Sequence, residues 1–110
     1  MIWEWLTNLH EMVEAERSAV RVTIIRADGS TPRGVGCAMI VGRTAFSGTI
    51  GGGALELSAL RTARSLLTLF AADTEPQWWR EVHDFPLGPA LGQCCGGFVQ
   101  LLFETVGEAE

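Results

Sequence analysis

The sequence predicts an α+β domain with a mixed or antiparallel sheet of about five strands and two principal helices. Two segments carry apolar side chains at helical spacing, and the remaining apolar stretches are short and rich in β-branched residues. Consecutive hairpins disfavour a parallel sheet, which is built from repeated strand–helix units. The order helix, strand, hairpin, helix, two strands therefore predicts the fold class.

Composition excludes several classes of protein. A formal net charge of −5 argues against general nucleic-acid binding, which requires a basic surface. No apolar run approaches the roughly 20 residues of a membrane span, and the first residues lack the features of a signal peptide. We therefore expect a single cytoplasmic domain over residues 1–110, with neither nucleic acid nor membrane among its partners.

The first half of the chain begins with a predicted helix over residues 2–17 and a strand over residues 20–27. A loop follows over residues 30–36, where Pro32 restricts the backbone and places Arg33 on a constrained segment. Every cationic side chain in the sequence is arginine, which suits bidentate contacts to phosphate or carboxylate. A GC-rich genome explains the same bias equally well.

The next elements are a hairpin and the second helix. Strands are predicted over residues 37–41 and 44–50, joined by Gly42-Arg43 in a type II′ turn, which takes glycine first. The helix covers residues 54–72, with this apolar stripe: Leu55, Ala59, Thr62, Ala63, Leu66, Leu69 and Phe70. Strands over residues 78–85 and 98–104 flank a long loop over residues 86–97.

Three consecutive glycines, Gly51, Gly52 and Gly53, precede the second helix and suggest an anion cradle. Glycine lets backbone amides approach a ligand closely, and a helix start adds unpaired N–H groups and partial positive charge. Glu56 in the first turn either satisfies those N–H groups or faces a ligand. A plain strand-to-helix turn with nothing bound remains the alternative. The P-loop and dinucleotide fingerprints are both absent.

Cys94 and Cys95 form the second chemical feature, because vicinal cysteines in a glycine-rich loop suit a soft metal or a thiolate nucleophile. Structural zinc is disfavoured, since it prefers four ligands and spaced cysteine pairs. The plainer interpretation is that one cysteine is a small buried hydrophobe. Near them in sequence, His83, Asp84 and Glu81 fall on a predicted strand, where we interpret them as structural, not catalytic.

Three motifs together resemble one family. They are residues 28–36 (DGSTPRGVG), residues 51–56 (GGGALE) and residues 91–97 (LGQCCGG). Over about residues 20–104 the chain resembles the N-terminal domain of the XdhC/CoxI family, the xanthine dehydrogenase accessory factors. The resemblance implies a molybdenum-cofactor chaperone, not an enzyme, which binds molybdopterin as cargo. It also implies two partners, a cysteine desulfurase and the large subunit of a molybdenum hydroxylase. A bare strand edge or tryptophan surface would favour self-association, so we also expect a homo-oligomer.

The same resemblance implies roles for individual residues. The glycine run would take the cofactor's phosphate, Arg33 would pair with phosphate or pterin oxygens, and Cys94 or Cys95 would meet the molybdenum or its labile sulfur. The residues expected to contact the cofactor are Arg33, Gly51, Gly52, Gly53, Glu56, Gln93, Cys94 and Cys95.

Typical members of the resembled family carry a further C-terminal Rossmann-like domain, and we expect that domain to be absent from residues 1–110. Two rival functions stay open. One is a cysteine-dependent sulfur-transfer enzyme, and the other is a structural dimerisation domain whose glycines only shape turns.

Overall fold

The computed structural model describes residues 4–29, 31, 33–71, 79–87 and 97–107. Two helices and five strands lie in this part of the chain, which confirms the predicted α+β class. Their bounds are α1 Glu4–Glu16, β1 Ser18–Asp28, β2 Ala38–Val41, β3 Phe46–Gly48, α2 Gly53–Ala71, β4 Arg80–Leu87 and β5 Gly97–Gly107. Neither described helix is long and apolar enough to cross a bilayer.

The five strands form one antiparallel sheet in the order β3-β2-β1-β5-β4. The two longest strands, β1 and β5, pair along their whole length at the centre of the sheet. Their register shifts between Ile24 and Arg26, so Ile25 forms a bulge near the end of β1. The last strand of the domain therefore lies beside the first.

One face of the sheet forms the main core. Alternate residues of each strand point to the same face, and α2 packs its apolar side against them. The residues buried in this layer are Val20, Val22, Ile24, Met39, Val41, Ile50, Leu55, Ala59, Ala63, Leu66, Leu67, Leu87, Val99, Leu101 and Phe103. Burying this much apolar side chain is the main stabilisation of the domain.

Helix α1 covers one end of the opposite face, the end at which β1 begins and β5 finishes. Ala19 and Ile40 are buried there, and Val106 lines a gap against the helix. Arg17 ends α1 with a φ of 72°, a left-handed value that an arginine adopts at some cost and that turns the chain directly into β1. The rest of this face has no described helix over it.

The turn between β2 and β3 differs from the prediction. Gly42 does not have the positive φ that a type II′ turn requires, and four residues connect the strands, closed by the Gly42 N–H donating to the Ala45 carbonyl at 2.8 Å. A Cβ on Gly42 would lie 2.6 Å from the Met12 sulfur and 2.7 Å from Glu16 Oε1, which are the ends of two flexible side chains that would have to shift.

Glu16 holds that turn against α1. Its carboxylate accepts hydrogen bonds from the backbone N–H and the hydroxyl of Thr44, each at 3.1 Å. Burial acts to raise the pKa of Glu16, but these hydrogen bonds, with that from the Arg43 N–H, outweigh it and lower the pKa below its ordinary value. A tertiary contact from the first helix, not the turn sequence, therefore selects this conformation.

Two further predictions, one buried position on α2 and the bounds of β4, were wrong in detail. On α2 the unpredicted Leu67 is buried, whereas the predicted Leu69 is 63% exposed. Leu67 lies one turn beyond the buried Ala63, and Leu69 is roughly 200° further round the helix than Leu67. Strand β4 covers residues 80–87, two positions later than predicted, with Pro86 inside it. A proline is acceptable there because β4 is an edge strand.

The uncovered face of the sheet carries a charged cluster around Glu104, which is only 8% exposed. Arg21, directly opposite on β1, donates to Glu104 Oε1 through Nε at 2.9 Å and also through Nη2. Arg80 of β4 reaches Glu104 Oε2 at 3.3 Å. The carboxylate thus links three neighbouring strands across the sheet.

We predict that Glu104→Ala lowers the free energy of unfolding by about 2 kcal/mol, since it leaves the largely buried Arg21 guanidinium without its carboxylate. Chemical denaturation measures this. The matched control is Asp28→Ala, which removes the exposed Arg26–Asp28 pair and is expected to cost less than about 1 kcal/mol. Equal effects of the two substitutions would contradict the role assigned to Glu104.

Gly48 provides a second test of the fold. Its φ is 80°, and an added Cβ would lie 2.8 Å from the Ala38 carbonyl oxygen. Gly48→Ala is therefore expected to cost about 2 kcal/mol or more of unfolding free energy. Gly34→Ala serves as the control, since nothing lies within 4 Å of its Cβ position and its φ is not positive. A thermal melt in which both variants match the parent protein would refute the requirement for glycine at position 48.

Candidate functional site

The strand directions bring all three sequence motifs to one end of the sheet. Because neighbouring strands are antiparallel, β1, β3 and β4 end at the same edge at which β2 and β5 begin. The β1–β2 and β3–α2 connections lie there, as does the N-terminus of α2, and the β4–β5 connection leaves β4 and enters β5 at the same edge. We call this edge the three-loop end.

The β1–β2 connection carries Arg33, whose side chain is exposed and pairs with no described carboxylate. The backbone around it is fixed on both sides. The Thr31 hydroxyl donates to the Arg33 carbonyl at 3.0 Å, and the Cys37 N–H donates to the Gly34 carbonyl at 3.3 Å. Ile24 of β1 then bonds to this loop, accepting from Gly36 and donating to Cys37, both at 2.9 Å. Hydrogen bonds therefore fix the backbone of this loop, while the Arg33 side chain is exposed.

The glycine run adopts a conformation that few other residues tolerate. Gly51, Gly52 and Gly53 have φ values of 126°, 77° and 64°, all in the left-handed half of backbone space. A Cβ at Gly52 would have nothing closer than Glu56 Oε2 at 3.8 Å, so the glycine is needed for its backbone angle rather than for lack of room. Three such residues in succession turn the chain from β3 into the first turn of α2.

Thr49 and Glu56 close this turn internally. The Thr49 hydroxyl accepts from the Gly51 N–H at 3.0 Å and donates to Glu56 Oε2 at 2.8 Å, while the Glu56 N–H donates to the Gly52 carbonyl at 3.4 Å. The sequence interpretation did not single out Thr49. A hydroxyl residue two positions before a glycine run is typical of a side-chain-to-backbone turn and was the available signal.

The position of Glu56 bears on what the glycine run can bind. Its carboxylate lies at the start of α2, where negative charge is favoured by the helix dipole. The same charge opposes a second anion at that spot. Positive charge for an anion at the three-loop end must therefore come from elsewhere, and Arg33 is an exposed guanidinium on a neighbouring connection.

The third connection, between β4 and β5, contains Gln93, Cys94 and Cys95, which lie outside the described residues. The residues that flank the undescribed segment, Leu87 and Gly97, are its anchors. They pair with each other at the three-loop end, where a Cβ at Gly29 would lie 3.5 Å from the Gly97 Cα. The first residue of the β1–β2 connection and the first residue of β5 are thus in contact. With strands spaced about 4.8 Å apart, β3 and β5 are about 14 Å apart across β2 and β1.

The residues interpreted as structural have partners. Glu81 and His83, two apart on β4, point to the same face, and His83 Nε2 lies 2.8 Å from Glu81 Oε2. The hydrogen bond from His83, and then that from the Trp79 indole, lower the pKa of Glu81. His83 also packs edge-on against Phe103 with ring centroids 5.0 Å apart. Cys37 is a free, half-buried thiol packed against the core.

One concave site was not expected from the sequence. A depression of about 210 Å³ on the uncovered sheet face is lined by Arg21, Thr23, Gly36, Ala38, Leu102 and Glu104. The Thr23 hydroxyl is buried and has no hydrogen-bond partner among the described residues. Among the described residues, no group of three or more His, Cys, Asp or Glu side chains is arranged to hold a metal ion.

Comparison with solved structures shows the same fold in a larger protein. A crystal structure described as a xanthine dehydrogenase from Bacillus halodurans matches with a TM-score of 0.71 and 23% sequence identity. The match covers 89% of this chain and 29% of that one, so the chain spans less than a third of the length of that protein. A comparison with the curated proteins found no match.

Family models give a more specific result. The model of the XdhC and CoxI family matches residues 12–74, which is more than half of the chain. The matched segment includes the Arg33 loop and the whole glycine run, two of the three motifs that the strand directions bring to one end. The chain belongs to the XdhC and CoxI family.

Proposed function

We propose that this domain is an accessory factor for a xanthine dehydrogenase-type molybdenum hydroxylase, binding the molybdenum cofactor as cargo at the three-loop end. The observation that carries the proposal is that the Arg33 loop, the glycine run and the anchors of the Cys94-Cys95 loop share one edge of the sheet. Family membership supports the accessory role. In this proposal the domain assists sulfuration and insertion of the cofactor and catalyses no hydroxylation itself.

The chemistry of the described residues suits part of such a cargo. The cofactor presents a phosphate, a polar pterin edge and a metal held by sulfur. Arg33 offers planar N–H donors for phosphate or pterin oxygens, and the glycine run offers backbone amides without side chains in the way. Because Glu56 already occupies the helix start, we assign the phosphate to the side of the cradle nearest Arg33.

The spacing across the sheet favours an elongated ligand. The glycine run follows β3 at one edge, whereas the Gly29–Gly97 contact joins strands that lie about 10 Å (β1) and about 14 Å (β5) from β3 across the sheet. A ligand with its phosphate near the glycine run and its metal near Cys94 and Cys95 would cover that distance. In this arrangement the thiolates of Cys94 and Cys95 are the groups that meet the molybdenum or its labile sulfur.

The two partners follow from this role. A cysteine desulfurase must deliver sulfur to the cargo while it is held, and the large hydroxylase subunit must receive it afterwards. Both need access to the same edge of the sheet, where Arg33 is exposed. The proposed order is therefore binding, sulfuration and transfer, with the domain holding the cofactor throughout.

We predict that Arg33→Ala weakens cofactor retention about tenfold or more, because a charge-assisted contact is lost while the fold stays intact. Retention is measured as molybdenum and pterin co-purifying with the protein, and as the rise in melting temperature when cofactor is added. Arg43→Ala is the matched control, an exposed arginine at the opposite end of the sheet.

Equal retention by the parent protein, Arg33→Ala and Arg43→Ala would contradict the role of Arg33. If the parent protein itself retains no cofactor and its melting temperature does not change, the binding proposal fails. That second result would favour a domain whose glycines only shape turns.

The cysteine loop is tested with the double variant Cys94→Ser and Cys95→Ser. We expect it to lose sulfur transfer to the bound cofactor, measured as the sulfurated fraction recovered after incubation with a cysteine desulfurase, because thiolate is the group that meets the metal or its sulfur. Cys37→Ala is the control, since that thiol packs against the core. An unchanged sulfurated fraction in the double variant would remove Cys94 and Cys95 from the proposed site.

A further inference from the structure

Strand β4 is an edge strand whose outer side pairs with no strand in the described part of the chain. Its side chains are unusually exposed for an eight-residue strand: Val82 is 52% exposed, and the Arg80 side chain is 74% exposed. Long open edges recruit other strands unless charge, proline or a covering segment prevents it. The sequence of this edge is therefore informative about what it accepts.

The backbone directions on β4 follow from one hydrogen bond. The Trp79 carbonyl accepts from the Thr105 N–H at 3.0 Å, so the backbone groups of Trp79 point inward, toward β5. These groups alternate along an extended strand, so Arg80, Val82 and Asp84 present N–H and C=O outward. Pro86 falls on the same outward set, where its missing N–H costs no bond to β5.

When a second copy of β4 is placed antiparallel beside the first, the side chains of the two copies are complementary. Read from residue 79 to residue 85 the sequence is W-R-E-V-H-D-F, with Val82 at its centre. We propose that two copies of this chain associate through β4, antiparallel, with the two Val82 residues opposite each other on a two-fold axis. The cross-copy pairs would be Trp79 with Phe85, Arg80 with Asp84, Glu81 with His83, and Val82 with Val82.

Charge selects this register over its neighbours. Outward backbone groups meet only when outward residues pair, so the nearest alternative registers place the two-fold centre at residue 81 or at residue 83. A centre at Glu81 sets the two glutamates against each other, and a centre at His83 sets Arg80 against Pro86 and Val82 against Asp84. Like charges directly opposite are unfavourable and opposite charges favourable. Only the Val82 centre pairs every charged residue with an opposite or hydrogen-bonding one.

The charged groups retain the capacity for these contacts. Arg80 reaches Glu104 through Nε at 3.3 Å, and the guanidinium has four further N–H donors on its Nη atoms for a carboxylate of a second copy. Asp84 accepts from Gln100 at Oδ1, at 3.0 Å, and Oδ2 remains able to accept from a second copy. The result is a continuous sheet through both copies with a two-fold axis perpendicular to it, so that the same face of each copy lies on the same side.

Disulfide trapping tests the register. In this arrangement the two Val82 Cα atoms are about 5.5 Å apart, within the range of a disulfide. Val82→Cys is expected to give a covalent dimer on mild oxidation, with the residue 82 linkage identified by peptide mass spectrometry. Asp84→Cys is the control, because its two copies would lie about 14 Å apart along the strand. Equal linkage at both positions, or none at 82, would overturn the proposal.

A proline substitution tests the interface without disturbing the fold. Val82→Pro removes an outward N–H, as Pro86 already does, so the melting temperature of the dilute monomer should stay close to that of Val82→Thr. Dimerisation, measured by sedimentation equilibrium, should weaken at least about tenfold relative to Val82→Thr. A parent protein that remains monomeric, or a dimer that tolerates Val82→Pro, would overturn the proposal. Cofactor retention plays no part in either readout.

Discussion

The antiparallel pairing of β1 with β5 is the interaction on which the rest of the domain depends. It joins strands separated by most of the chain, buries Val22 and Phe103 opposite each other, and ties the two ends together through Arg21 and Glu104. It also determines every other strand direction, because β2 and β4 pair with these two. The gathering of three motif-bearing connections at one edge follows directly from it.

The three-loop end carries negative as well as positive charge, which a glycine run alone would not indicate. The run has the left-handed backbone of an anion-binding turn, yet Glu56 and Thr49 satisfy part of it from within the chain. The Glu56 carboxylate lies at the glycine run, and the exposed guanidinium of Arg33 belongs to a neighbouring connection. In the proposed function this combination favours a ligand with hydrogen-bond donors as well as a phosphate, with the donors assigned to Glu56 and the phosphate to Arg33.

Sequence patterns predicted the elements because hydrophobic periodicity is local. The helix over residues 54–72 and the strand over residues 20–27 need only their own side chains to be recognised. The wrong details depend on contacts between distant segments. The β2–β3 turn is held by Glu16 of α1 through Thr44, and the side of α2 that faces the sheet decides that Leu67 and not Leu69 is buried.

The position of β5 has a consequence for how the chain folds. This strand follows every other described element in sequence but lies between β1 and β4. The β1–β5 and β5–β4 ladders therefore cannot form until residues 97–107 are available. Until then β1 exposes an unpaired, apolar edge. Non-local pairing of this kind slows folding and prolongs exposure of aggregation-prone surface. During synthesis the domain therefore stays open on one side until its last strand leaves the ribosome.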